Sequence, residues 1–163
     1  MVANYLTPSS YGSAVIRIMK RLGIMVKITF YEKPGCVGNY KQKALLWGAG
    51  HVLEVRDMTI MQWTPEILRP FFGDRPIPFW FNQSSPRLKS GEVCPNNLNE
   101  SEALALMCSD PLLIRRPLLE VDGRYEVGFE HSLIQDWIGL DMASTDVGEG
   151  CPKLNTVHTE ITD

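Results

Sequence analysis

Apolar and polar residues alternate through Val26-Lys27-Ile28-Thr29-Phe30-Tyr31, and most of the apolar ones are β-branched or aromatic. A period of two predicts a strand with one face against a core. Glu32-Lys33-Pro34-Gly35 is a turn cluster that stops it. After Cys36, helix formers run from about Asn39 to Trp47, with Ala44, Leu45 and Trp47 as the expected apolar face. Gly48 and Gly50 are expected to end that helix. His51 to Asp57 predicts a second strand.

Thr64-Pro65-Glu66 opens the next helix, with Thr64 as cap and Pro65 at the first helical position. Ile67, Leu68, Phe71 and Phe72 follow at helical spacing. Residues 73–98, rich in Pro, Asn and Ser around the island Phe79-Trp80-Phe81, read as loop with one short helix. Asn99 with Glu102 has the spacing of a capping box and begins a helix that stops before Asp110-Pro111. Strands are predicted over Leu112–Val121 and Arg124–Phe129, joined by the two-residue hairpin signal Asp122-Gly123. Glu130 to Leu140 closes the pattern as an amphipathic helix carrying Leu133, Ile134, Trp137 and Ile138. The order is strand, helix, strand, helical region, hairpin, helix. That is an α/β arrangement of thioredoxin-like type, with a helical insertion over about 60–109.

A chain of 163 residues is one domain with a single sizeable core. The expected layout is an N-terminal extension over 1–25, the folded domain over 26–140 and a disordered tail over 141–163, polar and without periodicity. Net charge is −3, with Arg17, Lys20 and Arg21 near the start and acids concentrated at the end. No basic stripe speaks for nucleic acid, and no apolar run is long enough for a membrane span. Cys36, Cys94, Cys108 and Cys151 form no Cys-x-x-Cys pair and no zinc-binding spacing, which favours a reducing cytoplasm and no bound metal or cofactor. His51, His131 and His158 are too scattered for a metal site.

Cys36 is the residue with chemistry. A thiolate is the reactive form of cysteine, and a helix N-terminus lowers the thiol's ordinary value of about 8.5 by directing unsatisfied N–H groups at the sulfur. The N–H groups of Val37, Gly38 and Asn39 would also hold an anion there. The plain alternative is a small buried cysteine, against which the preceding Pro-Gly turn argues.

Ile28-Thr29-Phe30-Tyr31, Lys33-Pro34-Gly35-Cys36, Leu113 to Leu118 and Asp122-Gly123-Arg124 to Phe129, in that order, resemble the glutaredoxin-dependent arsenate reductase family over about residues 26–138. Within it, the Pro-rich middle and Cys36-Val37-Gly38-Asn39 are most similar to the nitrogenase-associated branch. The resemblance implies an anion-pairing Arg116, a cis bond to Pro117 beside the thiol, and glutathione or glutaredoxin as reductant and partner. It also implies arginines where this chain has Asn82 and Gly128, and Arg87 and Arg124 do not fall on those positions. With one arginine in place of three, much charge-assisted bonding to arsenate is lost. Asn39 stands where the dithiol members of the Spx group carry a second cysteine, so a disulfide within the helix is excluded. Cys94 in its loop is a candidate resolving thiol or a bystander, and Cys108 reads as core. Three classes stay open: a monothiol oxidoreductase, a non-catalytic accessory protein of nitrogen fixation with nitrogenase-related partners, and a Spx-like transcription partner.

Overall fold

The computed structural model describes residues 25–140. The extension before Met25, the polar tail from 141 and Cys151 lie outside the described residues. Four strands form one mixed sheet in the order β2-β1-β3-β4. They span Lys27–Glu32, Val52–Asp57, Leu118–Val121 and Arg124–Val127. β1 pairs parallel with β2, Glu32 opposite Asp57, and antiparallel with β3, Tyr31 opposite Leu118. Helix α1 (Val37–Gly48) connects β1 to β2. Short helices α2 (Pro65–Leu68) and α3 (Pro86–Lys89), several 3₁₀ turns and α4 (Glu100–Ser109) lie between β2 and β3. Helix α5 (His131–Trp137) follows β4. This is the thioredoxin-like arrangement expected from the pattern.

Alternation in the strands feeds two cores. Ile28, Phe30, Leu119 and Val121 pack on one sheet face with Leu45 and Leu46 of α1 and Ile134 and Trp137 of α5. Tyr31, Leu118 and Val127 point to the other face, against Trp63, Phe71, Trp80, Phe81 and Met107. Tyr31, Trp63 and Phe71 meet there as tilted and edge-on rings with centroids 5.4 to 6.1 Å apart, geometries that aromatic quadrupoles favour. Burial raises the Tyr31 phenol above its ordinary value, and the Glu120 carboxylate beside it adds to the effect.

Local signals place the element ends. The Thr64 side chain accepts from the Ile67 N–H, and Asn99 and Glu102 form a reciprocal capping box. Asp122 and Gly123 both have positive φ, 50° and 77°, as a type I′ hairpin turn requires. α1 ends on Gly50 at φ 85°, with His51 N–H donating to the Leu46 carbonyl and Gly50 N–H to the Trp47 carbonyl, a Schellman closure. Gly48 lies inside the helix, so Gly50 alone makes the stop.

Two expectations need correction. The buried face of α1 is Gly38, Asn39, Gln42, Leu45 and Leu46, whereas Ala44 and Trp47 face solvent. The cost of burying Asn39 and Gln42 is offset in part by the bond from Asn39 Nδ2 to Gln42 Oε1 at 2.9 Å. The strand expected from Leu112 begins only at Leu118. Pro111–Leu113 forms a 3₁₀ turn, Ile114 makes an isolated bridge to Phe81, and the Arg116–Pro117 peptide is cis.

Edge strand β2 carries its charges outward. Glu54 pairs with Lys27 at 2.7 Å and with Arg56, and these hydrogen bonds, Lys27's first, hold its carboxyl down at about 2. Because the folded value is depressed, the pairing adds stability above the ordinary carboxylate range and loses it as pH falls towards 2. A carboxyl ¹³C titration is expected to place the Glu54 midpoint near 2, and Lys27→Met to raise it. A midpoint at the ordinary value of 4.5 in the parent protein would show the pairing to be absent in solution.

Candidate functional site at the carboxyl end of β1

The register gathers four separate stretches at one end of the sheet. β1 ends at Glu32, and the chain turns through Pro34 and Gly35, with Cys36 N–H donating to the Lys33 carbonyl at 3.2 Å. Cys36 is the N-cap of α1, and its carbonyl accepts the first helical bond, from Tyr40 N–H at 3.1 Å. The thiol is partly exposed and its side chain does not cap the helix. Intrahelical bonding leaves the N–H groups of Val37, Gly38 and Asn39 without acceptors in their own helix. Val37 is exposed, while Gly38 and Asn39 are buried.

β3 runs antiparallel to β1 and begins opposite Tyr31. Its register therefore brings Arg116 and Pro117, the residues just before Leu118, to the same end as Cys36. Arg116 is half-buried and has no ion pair or side-chain hydrogen bond among the described residues. Gly128 N–H donates to the Pro117 carbonyl at 2.8 Å, which fixes the end of β4 beside it. Arg115 N–H donates to the Trp80 carbonyl at 2.8 Å and Asn82 N–H to the Leu113 carbonyl at 2.7 Å, so Phe81-Asn82 is stitched alongside.

The Asn82 side chain is engaged in holding that stitch. Its Nδ2 donates to the Leu112 carbonyl at 3.1 Å and its Oδ1 accepts from Ser84 N–H at 3.1 Å. Arg87 is clamped between Glu92 and Asp110 at 2.8 and 2.9 Å. Arg124 lies 4.7 Å from the Trp137 ring centre and 3.2 Å from Glu126. Neither arginine substitutes for those that the resemblance places at Asn82 and Gly128.

Below the thiol, Lys43 of α1 meets both carboxylate oxygens of Glu32, at 2.8 and 2.9 Å. This ion pair between the strand end and the helix was not read from the sequence. The spacing of eleven residues across a turn carries no local signal for it. The sequence named His131 only in setting aside a metal site; its Nε2, like Asn39 Oδ1, is buried without a hydrogen-bond partner among the described residues. Both sit in first turns of the helices on one sheet face. His51 is a structural bolt, with Nδ1 accepting from Val26 N–H and Nε2 donating to the Gly139 carbonyl at 2.9 Å.

Cys94 is exposed and donates to the Gly91 carbonyl at 3.3 Å. Cys108 packs against the core, and burial, with a smaller contribution from Glu66, raises its thiol above the ordinary value. No cluster of three or more metal-ligating side chains exists among the described residues.

Residues 80–137, which carry the Phe81-Asn82 stitch, Arg116, Pro117 and the closing helix, match the family model described as the ArsC family. A curated relative, an uncharacterized 15.7 kDa protein in the draG 3′ region of Rhodospirillum rubrum, is 48% identical over 134 residues. That alignment covers 82% of this chain and 94% of the relative. The chain belongs to the ArsC family. Its fold is that of ArsC proteins of known structure. An arsenate reductase from Vibrio cholerae aligns at 19% identity with a TM-score of 0.59, covering 69% of this chain and 98% of the other. An ArsC family related protein from Bacteroides fragilis aligns at 23% identity with a TM-score of 0.60, covering 68% and 98%. At these identities the structures speak for the ArsC fold alone.

Proposed function

We propose that this ArsC-family chain is a monothiol oxidoreductase of the cytoplasm, with Cys36 as nucleophile and Arg116 as the charge beside it. The observation that carries the reading is the register of β1 with β3, which brings an N-cap thiol and the Arg116–Pro117 pair to one end of the sheet. Helix N–H groups and a guanidinium both favour the thiolate over the thiol. In the step proposed, the Cys36 thiolate attacks a glutathione-type disulfide, forms a mixed disulfide and releases one thiolate. A second glutathione, or a glutaredoxin thiolate, then attacks the mixed disulfide and returns Cys36. Arsenate is a poor substrate on this reading, because Asn82 and Gly128 stand where two further arginines would be. The relative from the draG 3′ region supports a setting in nitrogen fixation, with nitrogenase-related proteins as partners.

The commitment of Arg87, Arg124 and Asn82 to other contacts favours a second reading, a non-catalytic accessory protein that retains the fold. The alkylation rate of Cys36 against pH separates the two, with Cys94, Cys108 and Cys151 changed to serine and Cys36→Ser as control. The oxidoreductase reading expects an apparent value well below the free thiol's, about 8.5, rising again in Arg116→Ala. An ordinary or raised value would sink it and leave the accessory protein.

A further inference from the structure

The outer face of α1 is apolar where a solvated helix would be polar. Val37, Tyr40 and Trp47 are 46%, 66% and 49% exposed, and with Ala44 they recur at steps of three and four residues. At 100° per residue these positions form one stripe, opposite the buried side that carries Gly38, Asn39, Gln42, Leu45 and Leu46. The helix contains Lys41 and Lys43 and no acid. Lys33, just before Cys36, and Lys41 form no ion pair among the described residues. The stripe is therefore an apolar surface with a positive border, running from the thiol to the far end of the helix.

We propose that this stripe is the docking surface for the chain's own C-terminal segment, residues 141–163. Three observations select that occupant. The described chain ends near the C-terminal end of α1, on the helix's buried side, because His51, whose N–H donates to the Leu46 carbonyl, also holds the Gly139 carbonyl at 2.9 Å, and Leu140 packs in the same core as Leu45. The segment carries Asp141, Asp146, Glu149, Glu160 and Asp163 against Lys153, with Val147, Leu154 and Val157 as apolar contacts. Its 23 residues extend to roughly 75 Å, whereas the 12 residues of α1 rise only about 18 Å. The other terminal segment also leaves beside His51, through Val26, but bears Arg17, Lys20 and Arg21 and no acid, and would meet like charge. A tethered segment acts at an effective concentration on the order of millimolar, so a contact too weak to detect between separate molecules is populated here.

This inference stands apart from the thiol reading, because Trp47 reports it whether or not Cys36 reacts. Trp63, Trp80 and Trp137 are buried, so acrylamide quenching with Trp47→Phe as control isolates Trp47. The intact chain is compared with one ending at Leu140, with matching circular dichroism confirming that both are folded. Truncation is expected to raise the quenching of Trp47 about twofold, the change for a segment bound at least half the time. The intact chain should follow at about 1 M salt, where screening shortens to about 3 Å, and so should the exposed substitution Lys41→Glu. Equal quenching with and without the segment would overturn the proposal. So would protection that survives truncation and grows with protein concentration, which would assign the stripe to a second copy.

Discussion

Trp80→Ala is expected to cost roughly 3–5 kcal/mol of unfolding free energy, the range for emptying a large aromatic site. The indole is stacked on Phe72 with ring centres 4.5 Å apart and planes 5° from parallel. Its Nε1 donates to the Arg75 carbonyl at 2.7 Å, and the Arg69 guanidinium lies 5.2 Å from its ring centre. Removal therefore opens a cavity, deprives Arg75 of a donor and loosens the backbone that receives Arg115. Against a total stability of about 5–15 kcal/mol for a domain, that is a large share. Phe79→Ala is the contrast. Phe79 belongs to the same aromatic island but is 59% exposed, and a surface change of this kind stays within about 0.5 kcal/mol. Urea unfolding of the two variants decides the matter, and equal losses would contradict the packing described.

Glu32→Ala is expected to cost about 2–3 kcal/mol, somewhat less than removal of one partner from a fully enclosed ion pair. Both side chains of the Glu32–Lys43 pair keep only 13% of their exposure. The loss would leave an ammonium under the helix that carries Cys36. Lys43 retains a partial outlet towards Trp47, whose ring centre is 5.8 Å away, which keeps the cost below the upper range. The double change Glu32→Ala with Lys43→Met removes the stranded charge and should recover part of the stability. A loss below about 0.5 kcal/mol for Glu32→Ala alone would class the pair with ordinary surface pairs.

What was legible in the sequence depended on range. Signals that act within a few residues were readable: the alternation in β1, the Thr64 and Asn99 caps, and the Asp122-Gly123 turn. The inner face of α1 was not, because two of its five buried residues, Asn39 and Gln42, are polar and share one hydrogen bond. Reading by hydrophobicity selected Trp47 instead, and Trp47 points out. Leu112 to Val121 read as one strand because Leu113 and Ile114 are as apolar as strand residues, although they are buried through a turn and a bridge. At the site, Cys36 was singled out from its place after a turn and before a helix, and Arg116 only through the resemblance. The distant partners of Arg87, Arg124 and Asn82, which are Asp110, Trp137 and Leu112, were not legible, since they are set by folds of the chain beyond the reach of local signals. The same limit hid the Glu32–Lys43 pair.

The pairing of Tyr31 with Leu118 acts as a ruler for the thiol site. A slip of one position between β1 and β3 would shift Cys36 relative to Pro117 by about 3.3 Å, the rise of a strand residue. It would also turn Thr29 and Tyr31 towards the α1–α5 side, and Ile28 and Phe30 away from it. A slip of two would keep the faces but double the offset. The spacing between Cys36 and Arg116 is thus metered in whole residues by the strand register and the hydrophobic side chains that set it. Drift in the core of β1 is, for this protein, drift in the placement of Cys36 against Arg116.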